Sequence, residues 1–176
     1  KWNGFAVVCL ASGPSLTPED IELVRHWRCS GDARAVVVAN TTVLTAPWAD
    51  ALVAWDSKWW RTYAAQVDAV FTGERFTGSY AGSTWKAQRL IVPFQSYGNT
   101  GAAAVSLALW RGAAQVVMVG YDCQFTGGKT HHHGSHPKGM SDAASIAKWP
   151  KKFEALAMAA GGKVVGREFT NDKATD

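Results

Sequence analysis

Short apolar runs alternate with amphipathic, helix-forming stretches along this chain. The runs are continuously hydrophobic and partly β-branched, which is typical of strands buried on both faces of a sheet. Each run ends in a turn-prone or polar cluster, as strands of a compact sheet do. This pattern predicts strands at 5–11, 34–39, 51–55, 67–71, 89–92, 115–119 and 163–165.

Four helices are predicted between these strands. The first begins at Thr17 and Pro18, because threonine is a good cap and proline suits the first helical position. Its apolar face is predicted to consist of Ile21, Leu23, Val24 and Trp27. A second helix is predicted to begin with Ser57 as its cap, a third opens at 99–101 and is closed by Gly112, and a fourth covers 151–160.

The alternation of strands and helices predicts an α/β fold, a Rossmann-like three-layer sandwich with a mostly parallel sheet. A length of 176 residues, 47% of them hydrophobic, predicts a single domain over 1–176. No apolar stretch reaches the roughly 18 residues that a membrane span needs. The three cysteines are widely spaced and form no zinc or disulfide pattern, so we expect a cytoplasmic location.

Small, hydroxyl, amide and acidic residues gather where the predicted strands end. Ligands of an open parallel sheet bind beyond the carboxyl ends of its strands, and helix N-termini there attract anions. These clusters therefore predict a nucleotide cleft, although each residue taken singly could only cap a helix. The candidate binding residues are Ser12, Gly13, Pro14, Ser15, Asn40, Asp56, Thr100 and Gly101, with Asp122 as a catalytic candidate.

A polar stretch at about 123–147 contains four of the five histidines. Imidazole titrates near neutral pH, so His131, His133 and His136 are candidates for a general base or for phosphate contacts. A transition-metal site and a solvated polar loop are the alternative interpretations. Asp56 and Asp122 could each hold Mg²⁺, orient a ribose hydroxyl or cap a helix.

The order of these motifs resembles one superfamily. A strand leads into S-G-P-S-L, the next ends in Asn, a helix reads [ST]-G-x-x-A-x-x-x-A-x-x-x-G, and a late strand ends in G-x-D. The superfamily contains small bacterial sialyltransferases, archaeal 6-hydroxymethyldihydropterin pyrophosphokinases and many bacteriophage proteins. The phage branch is the most similar, through the D-S-K-W-W stretch at 56–60 and the H-H-H-G-S-H-P stretch at 131–137. The resemblance covers about residues 5–166.

The resemblance implies a nucleotide site and assigns roles to its residues. It implies that the loop at 12–15 approaches the phosphate, that Asn40 contacts the nucleotide, and that Thr100 and Gly101 line the site. A histidine would be the general base, and Asp122 corresponds to the aspartate after the late strand. The chain departs from the family in three ways: Ala11 precedes Ser12-Gly13 where a glycine is usual, Thr100 replaces serine, and the stretch 123–147 is too short for the lid domain.

Three functional interpretations follow. The first is a phage-encoded, glycosyltransferase-like enzyme in the host cytoplasm, which uses a nucleotide-activated donor and for which nucleic acid is a possible acceptor. The second is a pyrophosphokinase-like enzyme that uses Mg²⁺-ATP. The third is a non-catalytic phage protein that binds nucleotides or DNA. A net charge of +4 and a pI of about 9.1 suit the anionic partners of all three.

Overall fold

The structure, a computed structural model, describes residues 2–91, 99–122 and 149–166. Seven strands lie within these residues: β1 Ala6–Leu10, β2 Arg34–Ala39, β3 Ala51–Val53, β4 Glu74–Thr77, β5 Gln88–Arg89, β6 Gln115–Val119 and β7 Val164–Gly166. The helices are α1 Pro18–Cys29, α2 Ser57–Val70, α3 Thr100–Trp110 and α4 Trp149–Ala159, with 3₁₀ turns at Asn40–Leu44 and Gly82–Trp85. None of the described helices is long and apolar enough to cross a membrane.

All seven strands join one parallel sheet in the order β5-β4-β3-β2-β1-β6-β7. The chain runs outward from β1 to β5 and then returns to the other side of β1 with β6 and β7. The order therefore reverses between β1 and β6, which makes this pair the topological switch point. The predicted α/β, Rossmann-like architecture is confirmed.

Successive residues of the central strands enter two separate cores, which gives the fold its three layers. Val7 and Cys9 of β1 pack on the face that α3 and Leu156 of α4 cover. Val8 and Leu10 pack on the opposite face, which α1 and α2 cover. Cys9 is completely buried and packs as a small core residue. This burial raises the pKa of its thiol well above the usual range.

The structure corrects four of the predicted elements. The strand predicted at 67–71 is wrong, because α2 continues to Val70 and turns the buried Val67 toward the same core as Trp60. The cap of this helix is Asp56, and the predicted cap Ser57 is its first helical residue. Leu23 is 61% exposed instead of facing the core. The strand predicted at 89–92 is β5, which covers only Gln88–Arg89, and residue 92 lies outside the described ranges.

Helix α3 is the central helix of one layer, and almost every residue from Thr100 to Ala108 is buried. Its alanines let it approach the sheet closely. A short connection at 111–114 leads from its end to the start of β6, so the helix begins near the carboxyl edge of the sheet. The Asn99 side chain caps this beginning by accepting a hydrogen bond of 3.0 Å from the Ala102 N–H.

The opposite end of α3 is fixed by Arg111. Its guanidinium donates two hydrogen bonds to the Glu74 carboxylate at the start of β4, one of them 2.8 Å long. It also lies 4.7 Å from the centre of the Trp2 ring and 5.0 Å from that of Phe76. The hydrogen bonds from Arg111 hold the pKa of Glu74 below its ordinary value of 4.5.

This ion pair predicts an acid-dependent loss of stability. A carboxylate whose pKa is lower in the folded protein than in the unfolded chain stabilises the fold at any pH above its pKa in the unfolded chain. This stabilisation is lost as the pH falls through the pKa that the carboxylate has in the folded protein. Because 46% of the Glu74 side chain is exposed, we expect Glu74→Gln to cost only about 1 kcal/mol at pH 7. The difference in unfolding free energy between this variant and the wild type should shrink at a pH well below 4.5. Urea denaturation at pH 7 and at that lower pH would measure it. Glu22→Gln, at an exposed pair with Arg25, is the control, and an equal effect from it would contradict this role of Glu74.

Candidate functional site

The loops that follow β1 and β6 are joined directly to each other at the carboxyl edge of the sheet. The pairing of the two strands continues past their ends, since the Ala11 N–H donates to the Val119 carbonyl at 3.0 Å. Two residues further on, the Gly13 N–H donates to the Gly120 carbonyl at 2.8 Å. The crevice at the switch point is therefore bridged by backbone hydrogen bonds.

A carboxylate adds a second bridge between the same loops. Asp122 accepts a hydrogen bond of 2.7 Å from the Ser15 backbone N–H, and its other oxygen accepts from the Ser15 hydroxyl. Hydrogen bonds to an ionised carboxylate are stronger than neutral ones. Asp122 thus fixes the conformation of the loop at 12–15, and we name these two contacts the Ser15–Asp122 clamp.

Two glycines make this close approach possible. A Cβ on Gly13 would lie 2.4 Å from the Gly120 carbonyl oxygen and 2.6 Å from an Asp122 carboxylate oxygen. A Cβ on Gly120, whose φ is +74°, would lie 2.4 Å from the Ala11 carbonyl oxygen. Neither position has room for a side chain, which gives a packing reason for the glycine in each sequence motif.

Tyr121 attaches the beginning of α3 to the same place. Its hydroxyl donates to the Gly101 carbonyl at 3.2 Å, and its ring meets Phe153 of α4 edge-on at 5.3 Å. A Cβ on Gly101 would lie 2.8 Å from the Tyr121 ring, so glycine lets the ring reach the helix. Tyr121 is not among the site residues predicted from the sequence, although its position between the glycine and the aspartate of G-Y-D is a usable signal.

The remaining candidates lie along the same edge but away from the clamp. Asn40 follows β2, is half-buried and adopts a left-handed conformation with φ +51°. Asp56 follows β3, is exposed and makes no capping hydrogen bond with its side chain. Strands β3 and β6 are three positions apart, or roughly 14 Å at the usual strand spacing, so Asp56 and Asp122 do not follow neighbouring strands.

The three catalytic histidine candidates, His131, His133 and His136, lie outside the described residues, as does the rest of the stretch 123–147. No group of three or more histidine, cysteine, aspartate or glutamate side chains that could hold a metal ion occurs among the residues that are described. The magnesium expectation therefore stays a prediction.

The supply of backbone donors at this edge is uneven. In the loop after β1, the N–H groups of Gly13, Ser15 and Leu16 all donate within the protein, and Pro14 has none. At the start of α3, helix geometry leaves the N–H groups of Thr100 and Gly101 without an intrahelical acceptor. An anion at this edge would be bound more readily by the helix start than by the loop.

Comparisons of the chain with protein-family models, with curated proteins and with solved structures found no match. The resemblance described above thus remains a prediction from the motifs themselves.

The Ser15–Asp122 clamp predicts coupled losses of stability. Asp122→Ala should cost about 2 kcal/mol, because it leaves two donors of the loop without their acceptor. Ser15→Ala should cost about 1 kcal/mol, since the backbone bond remains. In a double-mutant cycle, measured by urea denaturation, Ser15→Ala should cost clearly less when Asp122 is already alanine.

Asp56→Ala is the matched control, because Asp56 follows a strand at the same edge without a capping bond from its side chain. Its cost should be about 0.5 kcal/mol or less. Additive costs for Ser15 and Asp122, or an equal loss from Asp56→Ala, would show that the clamp does not hold the loop.

Proposed function

We propose that this chain is a nucleotide-dependent transferase that binds a nucleotide-activated donor at the switch point between β1 and β6. The observation that carries the proposal is the union of three elements there, the loop at 12–15, the end of β6 and the start of α3. The Ser15–Asp122 clamp and the Tyr121–Gly101 hydrogen bond hold these elements together. Such a rigid arrangement of small residues beside a helix N-terminus suits a phosphate ligand.

The donor groups suggest how the nucleotide is oriented. Its phosphates would lie against the N–H groups of Thr100 and Gly101. The loop after β1 offers fewer donors, because Pro14 has no N–H group and those of Gly13 and Ser15 are already engaged. The nucleoside would extend along the carboxyl edge toward Asn40, which follows the neighbouring strand β2. In this proposal Asp122 is a positioning residue, which holds the loop and does not contact the reacting atoms.

The proposed reaction transfers a glycosyl group. The bond between the anomeric carbon and the phosphate oxygen breaks, and the leaving phosphate keeps the electron pair. An acceptor hydroxyl or amine forms the new bond to that carbon and gives its proton to a histidine, for which His133 and His136 are the candidates. The start of α3 would stabilise the charge that develops on the leaving phosphate.

Nucleotide binding can be tested with the amide of Asn40. Thermal unfolding should be followed with CMP, UDP, GDP and ADP, and with sugar nucleotides, in the presence and absence of Mg²⁺. At about a hundredfold excess over Kd, a ligand of the native state should raise Tm by roughly 5–10 °C. Asn40→Gly keeps the left-handed backbone and removes the amide, so it should weaken binding about 5–10-fold with little loss of stability.

Absence of a shift with every nucleotide would overturn the proposed site. Tight binding without turnover would favour the non-catalytic binder. A strict requirement for Mg²⁺ in turnover of ATP would favour the pyrophosphokinase-like enzyme.

The role of the histidines is tested separately, with the sugar donor of whichever nucleotide binds. Replacing His133 and His136 together with alanine should lower the release of nucleotide from its sugar donor by at least about 100-fold, because a general base contributes that much. The Kd for the nucleotide should change little. His26→Ala, an exposed histidine on α1, is the control. Unchanged turnover in the double variant would remove the histidines from the mechanism.

A further inference from the structure

An exposed aromatic ring with a cation against its face lies at the β4–β5 end of the sheet. Tyr80 is 84% exposed, and the Arg89 guanidinium lies 3.5 Å from the centre of its ring. Residue 89 pairs with Thr77 at the carboxyl ends of β5 and β4, so this pair lies at the same edge as the proposed nucleotide site. A tyrosine this exposed buries little apolar surface, so hydrophobic packing does not account for its position.

The surroundings of this pair carry more positive than negative charge. The segment 78–91 contains Lys86 and Arg89 and no acidic residue, and Lys86 is paired with Asp68. Next to Tyr80, the hydroxyl of Ser79 is hydrogen-bonded to that of Ser57 at the start of α2, at 3.2 Å. That contact places the first turn of α2 beside the Tyr80 loop.

Arg61 adds a further positive charge on α2, whose first residue contacts the Tyr80 loop. It lies one turn after Ser57, and residues four apart share a helix face, so Arg61 is on the side of α2 that meets the loop. Arg61 is exposed and forms no salt bridge with any other residue that the structure describes. Asp56, the cap of α2, is the acidic residue at this end of the helix.

We propose that Tyr80 and Arg89, with Arg61, form a binding surface for single-stranded nucleic acid. A planar ring presented to solvent stacks on unpaired bases, and nearby guanidinium groups contact the phosphates between them. The side chains of Tyr80, Arg89 and Arg61 are all exposed, which favours a strand with several weak contacts over a mononucleotide enclosed in a pocket. The inference goes beyond the proposed transferase and does not depend on it, because it concerns binding at a different end of the sheet.

The test is the binding of a fluorescently labelled oligothymidylate, followed by anisotropy over a range of salt concentrations. Tyr80→Ala should weaken binding about tenfold, because base stacking is lost, whereas Tyr80→Trp should restore it. Arg61→Ala should reduce the slope of log K against log salt by about 0.7, as expected for one lost phosphate contact on a single strand. Arg25→Ala, which removes one exposed positive charge from α1, is the matched control for Arg61→Ala and should leave the slope of log K against log salt unchanged.

Four results would overturn the proposal. The first three are no binding of the oligonucleotide by the wild-type protein, equal binding by Tyr80→Ala, and equal competition by an abasic strand of the same length. The fourth is competition by thymidine monophosphate at the same concentration as the strand, which would show a mononucleotide site instead. Thermal unfolding of each variant separates these outcomes from misfolding, since removal of so exposed a ring should leave Tm nearly unchanged.

Discussion

The hydrogen bonds between Ser15 and Asp122 join loops whose residues are 107 positions apart in the chain. They extend the pairing of β1 with β6, the two strands between which the chain changes its direction across the sheet. In most folds of this architecture the crevice at that point is left open for a ligand. Here the Gly13–Gly120 backbone hydrogen bond and the Ser15–Asp122 clamp close part of that crevice. The N–H groups that form these bonds are no longer available to an anion.

That closure constrains the neighbouring positions in turn. Gly13 and Gly120 must lack side chains for the loops to meet, and Gly101 must lack one for Tyr121 to reach α3. The helix is also held at its far end, where Arg111 is bonded to Glu74. With both ends fixed and nearly all of its side chains buried, α3 presents its first N–H groups from a rigid support. Such preorganisation is what electrostatic stabilisation of a leaving phosphate requires.

The sequence was sufficient for the architecture because buried parallel strands leave continuous apolar runs, as at 34–39 and 115–119. It failed at 67–71, where a short apolar run belongs to a helix, because periodicity cannot separate the two over so few residues. It also identified the strand-end residues individually, without their partners. That Asp122 binds Ser15 depends on β6 lying next to β1, a long-range pairing that no local pattern specifies.

The carboxyl edge of the sheet has two ends of different character. At β1 and β6 the two loops are hydrogen-bonded to each other, and the N–H groups of Gly13, Ser15 and Leu16 donate within the protein. At β4 and β5 the turn is held by serine and threonine hydroxyls, as in the bonds from the Ser79 and Ala81 N–H groups, which leaves Tyr80 and Arg89 facing solvent. A site that must exclude water from a reacting phosphate fits the first end, and a surface that holds a flexible, charged chain fits the second. Because β4 and β1 are three positions apart along this edge, the proposed strand-binding surface and the proposed nucleotide site lie apart, and the two proposals are compatible on a single molecule.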